Sequence, residues 1–450
     1  MSPVIRFVTA ILFVSQIVVV LASPVSAQGL KIIRDVEIEN TLRANATPLF
    51  EAAGLKPDAV KIFLVDDKTL NAFVAGGQNL FVNTGLLMAA KTPGEVIGVI
   101  AHETGHISGG HLARIGAALD RAATSQIITT ILGGAAVIAG RGDVGAAIFA
   151  AGQQTTQRAF LAFSRTQEAA ADQAALTFLD RTHQSAKGLI AFLDILKDQE
   201  LLSTASQDPY VRTHPITTSR IETIEAFIKK SPYSDVPAKP DFIKRHQRMR
   251  AKLIGYSSGL GKARLTYRDD LTTVPARYAL SIAYYRKGNL KKALPLIDSL
   301  LKENPDDPYF NELKGQMLYE NGRAKDALPA YIKAVQLLPE SPLLRRELAK
   351  VQLDLGPEWL DAAIENFKIS LRAERRSSFA WRQLGIAYGR KGDTARAALA
   401  LAESALLHGR TIEAIYNAGK AQQTFKTGTP EWLQAEDIRN AAEQLQNKKN

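Results

Sequence analysis

The chain has 450 residues, no cysteine and a formal net charge of +11. Lack of cysteine excludes disulfides, thiolate metal ligands and a lipid-anchored N-terminus, so any metal must be held by His, Asp or Glu. The length is enough for two or three domains.

Met1 to Arg6 carries one positive charge, Phe7 to Leu21 is an apolar run of 15 residues, and Val25-Ser26-Ala27 offers small residues for cleavage. A spanning helix needs roughly 20 apolar residues, so 1–27 reads as a cleaved signal peptide and the protein as exported. The remaining 423 residues keep a net charge of +10. Export removes nucleic acid as a partner. The basic balance then fits a peripheral contact with anionic lipid headgroups, attraction to acidic proteins, or simple solubility.

Residues 28–231 mix strand and helix patterns. Lys61 to Val65 and Leu80 to Asn83 read as short strands with 71–77 between them, and from Glu95 onward Ala-rich helical patterns dominate. Two apolar pieces within 127–151, interrupted by Arg141 and Asp143, are each too short to span a bilayer. They fit a buried hairpin or an amphipathic flap over membrane or active site. A connector over 232–272 holds Pro232, Pro237 and Pro240 and a basic helix with Lys244, Arg245, Arg248, Arg250 and Lys252, expected as a solvated linker face.

Residues 273–447 are helical and repetitive. Gly288, Gly322, Gly356 and Gly392 recur at intervals of 34, 34 and 36, and the two extra residues at Gly356-Pro357-Glu358 fall in a turn. Small residues at Ser281, Gly315, Ala349 and Gly385 let paired helices approach closely. Trp381-Arg382-Gln383-Leu384-Gly385-Ile386-Ala387-Tyr388 fits the tetratricopeptide pattern W-x-x-L-G-x-x-Y. Such stacked pairs form a superhelix that binds other proteins, and each repeat contacts mainly its neighbours. The array is therefore expected to fold without the preceding domain.

His102-Glu103-Thr104-Gly105-His106 continues the helical pattern of Glu95 to Ala101. Residues four apart share a helical face, so both imidazoles converge on one ion, while Glu103, turned by about 100°, can reach a metal-bound water. This points to one zinc per chain, which needs a third protein ligand. The nearest histidine, His111, falls one position short of a metzincin spacing, where Leu112 stands, and is assigned a structural or supporting role. Glu168 is the better candidate. It sits four residues before Asp172 among Ala169, Ala170 and Ala171, so one carboxylate can ligate while the other orients a ligand histidine. The alanines let this helix lie close to the first.

The patterns H-E-x-G-H-x-x-x-x-H, S-R-x-x-E-x-x-A-D at 164–172 and T-H-P-x-x-x-x-R at 213–220 together resemble the beta-barrel assembly-enhancing proteases. These are gluzincins related to the CAAX prenyl proteases, and their periplasmic members also carry C-terminal tetratricopeptide repeats. The resemblance spans nearly the whole mature chain. It implies zinc ligands His102, His106 and Glu168, with Glu103 as general base and Asn71-Ala72-Phe73 in an edge strand beside the cleft. It also brings His214 and Arg220 into the catalytic set. His214 would either donate to the tetrahedral oxyanion or occupy zinc's fourth position, unless its His-Pro turn is purely structural.

The expected fold is mainly α: an α+β zincin-type metalloprotease domain with a small sheet, then an all-α tetratricopeptide superhelix. The expected function is a periplasmic zinc endopeptidase, in the envelope and associated with the outer membrane. By resemblance, it degrades misfolded or stalled outer-membrane proteins and works with the outer-membrane assembly machinery. The alternative is a periplasmic chaperone or scaffold acting through its repeats. Gly255 to Ala263 mimics a phosphate loop but fails its spacing, and Ala263 cannot ligate magnesium.

Overall fold

The computed structural model describes residues 30–111, 114, 164–196 and 214–448. The expected leader at 1–27 and the apolar stretch 127–151 lie outside the described residues. Strand β1 (Ile32–Ile33) leads into helix α1 (Val36–Ala52), which starts where the Asp35 carboxylate accepts the Ile38 N–H at 2.9 Å. Strands β2 (Lys61–Val65), β3 (Ala72–Ala75) and β4 (Asn79–Asn83) follow, in the sheet order β1-β2-β4-β3. β2 and β4 are parallel, and β3 runs antiparallel along β4. Between β3 and β4, Gly76 and Gly77 have φ of 57° and 97°, the left-handed backbone that a tight hairpin requires. Within the expected interval 71–77 there is thus a third strand, and it lies at the sheet edge.

Helix α2 (Thr84–Ala89) precedes α3 (Pro93–Ser108). Proline occupies the first position of α3, and the Glu95 carboxylate reaches back to accept the Lys91 N–H at 2.7 Å and the Thr92 hydroxyl at 3.1 Å. Helix α4, over 164–181, then α5 (Lys187–Leu196) and α6 (Thr218–Ile228) complete this part. Leu64, Ala72, Leu80 and Val82 of the sheet share one buried core with Leu42, Leu49 and Phe50 of α1 and Val96 and Ile100 of α3.

Helix α7 (Pro240–Ser257), with α8 (Gly259–Thr266) after it, departs from the expected solvated linker. Lys244 is exposed, but Arg248 and Lys252 are buried. Met249 and Leu253 join the core of the first part, whereas Ala251 and Ile254 pack with Tyr278 and Ile282 of the first repeat. Arg248 pairs with Glu37 at 2.8 Å and with Asp307, and Lys252 pairs with Asp35 at 2.7 Å. The Tyr278 hydroxyl donates to Glu37 at 2.7 Å. The array is thus joined to the preceding domain at this junction, where buried charges of α1, α7 and two repeats satisfy one another.

Helix pairs Val274–Arg286 with Leu290–Glu303, Pro308–Glu320 with Ala324–Leu337, Pro342–Leu355 with Leu360–Ala373, and Ser378–Lys391 with Thr394–Leu407 build the array. All four frame glycines have positive φ, and a 3₁₀ turn at Pro357–Trp359 absorbs the two extra residues. A Cβ on Gly315 would lie 2.7 Å from the Tyr331 ring, so glycine sets the approach of that pair. A fifth pair, Thr411–Thr424 with Pro430–Asn447, turns at Gly428, which continues the glycine series 36 residues beyond Gly392. Among the described residues, no helix is long and apolar enough to cross a membrane.

Candidate metal centre

His102, Glu103 and His106 lie on the buried length of α3. Gly98 and Gly105 bring two other helices against it. A Cβ on Gly98 would sit 2.7 Å from the Leu189 backbone, and one on Gly105 would sit 2.6 Å from the Ala171 carbonyl oxygen. Of the three alanines expected to ease this approach, Ala171 is buried there, while Ala169 and Ala170 face solvent.

That approach delivers Glu168. Its carboxylate oxygens lie 3.2 Å from His102 Nε2 and 3.3 Å from His106 Nε2, and the two Nε2 atoms are 3.1 Å apart. His214 Nδ1 joins them, 3.1 Å from Glu168 and 3.2 Å from His102 Nε2. One donor atom from each of these four buried residues lies within 4.8 Å of all the others.

A supporting layer surrounds the donors. Asp172 Oδ1 contacts His102 Nδ1 at 2.9 Å, leaving Nε2 turned to the cluster. The Arg220 guanidinium donates to Asp172 at 2.6 and 2.9 Å, lies 3.1 Å from Glu168, and donates to the Pro215 carbonyl at 2.8 Å. The Thr217 hydroxyl caps α6, which fixes Arg220 in its first turn below His214-Pro215. Arg220, expected among the catalytic residues, grips the two carboxylates. His111 acts comparably on His106, with Nδ1 to Nδ1 at 2.9 Å. It does so because α3 ends at Ser108 and Gly109-Gly110 fold the chain back, whereas its position on a continuing helix would have turned it away.

Opposed shifts in proton affinity follow. Burial works against protonation of His102, yet hydrogen bonds to Asp172 and Glu168 hold its pKa up to about 10. Burial pushes His106 down to about 3. Glu168 is held far below the carboxylate range, its burial outweighed by His214, His102 and His106. Asp172 falls to about 2, its burial outweighed by His102 and Arg220. Glu103 moves the other way: burial raises its pKa, and neither carboxylate oxygen has a hydrogen-bond partner among the described residues. His214 Nε2 lies 3.6 Å from Glu103 Oε1. A buried carboxylate with no hydrogen bond among the described residues, beside imidazole nitrogens packed against one another, suits a divalent cation and its water. The residues fit a metal.

Ala72 and Phe73 open the edge strand β3 and Asn71 immediately precedes it; α3 packs against this strand. The capping pattern Thr92-Pro93-Gly94-Glu95 is a local signal for the start of α3. Arg220's grip on Asp172 had no local signal.

Residues 36–228 match peptidase family M48, and residues 278–342 match a tetratricopeptide repeat family. The beta-barrel assembly-enhancing protease of Escherichia coli strain K12 is 22% identical over 377 residues, covering 82% of this chain and 75% of that one. A Vibrio cholerae protein given the same name provisionally is 25% identical over 253 residues, 55% of this chain, and the match spans only about half (52%) of its length. Among solved structures, MamA is similar at 20% identity with a TM-score of 0.30, over 38% of this chain and 96% of that one. The chain thus carries a family M48 metalloprotease domain followed by tetratricopeptide repeats.

Proposed function

We propose that this chain, a metalloprotease with tetratricopeptide repeats, is a zinc endopeptidase of the bacterial periplasm that degrades misfolded or stalled outer-membrane proteins. The carrying observation is the buried Glu103, which makes no hydrogen bond among the described residues, beside the His102, His106 and Glu168 donors. In this reading residues 28–231 form the peptidase domain, 232–272 the connector and 273–447 the repeats, after a leader removed at 27. The repeats hold clients or the outer-membrane assembly machinery. The names of the similar proteases support these partners.

His102, His106 and Glu168 would hold one zinc, which supplies Lewis acidity that brings water's pKa toward neutrality. Glu103 receives the proton of the attacking water and passes it to the leaving amine; its burial raises its affinity for that proton. Asp172 orients His102, and Arg220 holds Asp172 and Glu168 in place. His214, whose Nδ1 lies among the donors, would join them in holding the metal and so restrain activity. An extended client adds beside Asn71, Ala72 and Phe73 at the β3 edge of the sheet, read through its backbone.

The test is capture and turnover in the native envelope. The Glu103→Gln protein should retain outer-membrane polypeptides that the wild-type chain degrades. Equal client levels with both proteins would replace this reading with the scaffold one.

A further inference from the structure

A groove of about 940 Å³ lies in the C-terminal half of the repeat array, among helices Leu360–Ala373, Ser378–Lys391, Thr394–Leu407 and Pro430–Asn447. Its floor is apolar, with Leu371 and Leu384 buried and Trp381 and Tyr388 half-buried. Lys368, Arg372, Arg375, Arg376 and Arg396 line it and are exposed, while Glu403 and Glu431 also line it. Arg375 and Arg376 have no ion-pair partner among the described residues. The adjacent acid, Glu374, is engaged by Arg34 at 2.5 Å, and the Trp381 indole N–H is held by the Arg375 carbonyl at 2.8 Å. The volume lies toward the upper end of ligand-sized clefts, about 300–1,000 Å³.

We propose that this groove binds an extended acidic peptide segment bearing a large apolar side chain, the apolar group on the Trp381–Tyr388 floor and the carboxylates at Arg375 and Arg376. Charge complementarity favours an anion, and the recessed apolar floor rewards a side chain that a flat anionic membrane cannot insert in register. Glu403 and Glu431 discriminate further: they repel a continuous run of phosphates but tolerate a peptide whose charges are spaced, and they can accept its backbone N–H groups. The proposal rests on the repeats as client-binding elements and supplies the chemistry they select.

Fluorescence anisotropy on the full chain carrying Glu103→Gln, which keeps the probe intact, tests this. Three labelled peptides are compared: phenylalanine flanked by Asp and Glu, the same phenylalanine flanked by Lys, and serine flanked by Asp and Glu. The first should bind at least about tenfold more tightly than the others, and weaken with salt. The exposed double reversal R375E/R376E should remove that preference at unchanged helical content. Equal binding of the three peptides, or indifference to the reversal, overturns the proposal. So does stronger competition by phosphatidylglycerol vesicles or a single-stranded oligonucleotide than by unlabelled acidic peptide. With Glu103 intact, R375E/R376E should cleave a short neutral peptide at the wild-type rate. If the wild-type chain cleaves nothing, the endopeptidase reading fails while anisotropy still decides the groove.

Discussion

Gly105 faces Ala171 so closely that a Cβ on the glycine would lie 2.6 Å from the alanine's carbonyl oxygen. Backbone, not a movable side chain, would have to yield. Gly105→Ala should therefore push α4 and Glu168 away from His102 and His106. Expected is a loss of about 1–3 kcal/mol in stability, with a fall in bound metal measured by elemental analysis. Full metal content at an unchanged melting temperature would show that the helices have slack.

Purified protein should hold about one zinc per chain. His102→Ala, His106→Ala and Glu168→Ala should each lose most of it, whereas Glu103→Gln should keep the metal and lose peptide hydrolysis. A site emptied by His111→Ala but not by Glu168→Ala would refute the ligand assignment.

Because His214 Nδ1 lies 3.1 Å from Glu168, inside the donor cluster, His214→Ala should raise peptidase activity or self-cleavage. Were His214 an oxyanion donor instead, the same change would lower kcat by roughly 100-fold. Steady-state rates on one short peptide separate the two.

Arg220→Ala should weaken metal binding by about 10–100-fold, since it removes the grip on Asp172 and Glu168 while leaving every donor residue in place. Arg220→Lys should restore part of that affinity. Competition with a chelator of known affinity gives the measurement, and unchanged metal affinity in Arg220→Ala would rule out the positioning role.

The junction should respond to pH. Burial raises the Glu312 pKa to about 8, although Lys252 pulls it down; Asp35, Glu37 and Glu347 add to the rise. A carboxyl whose folded pKa exceeds its unfolded one stabilises fully below the unfolded value, about 4.3, and that contribution fades as pH rises through 8. Melting temperature should thus decline between about pH 5 and 8 less steeply in Glu312→Gln than in the wild type. Parallel profiles would exclude Glu312 as the source. At the same junction, Arg248→Ala should cost about 3–5 kcal/mol by removing the cation that buried Glu37 and Asp307 share, read by denaturant unfolding.

Features governed by local spacing were legible in the chain itself. Helical periodicity alone puts His102 and His106 on one face, and the interval from Gly288 to Gly392 sets the helix pairs, because each turn needs a left-handed residue. Gly428 keeps the interval for the fifth pair, and the capping pattern before α3 is equally local. Decisions that depend on partners distant in sequence belonged to the tertiary structure. A run of Lys and Arg reads as solvated until Glu37, Asp35 and Asp307 are known to meet it, so the burial of α7 had no local sign. Likewise Arg220 could be singled out by its pattern, but its role depended on Asp172, 48 residues earlier, folding beneath it. Periodicity fixes which face a residue occupies; only packing between helices decides which charge, donor or void that face meets.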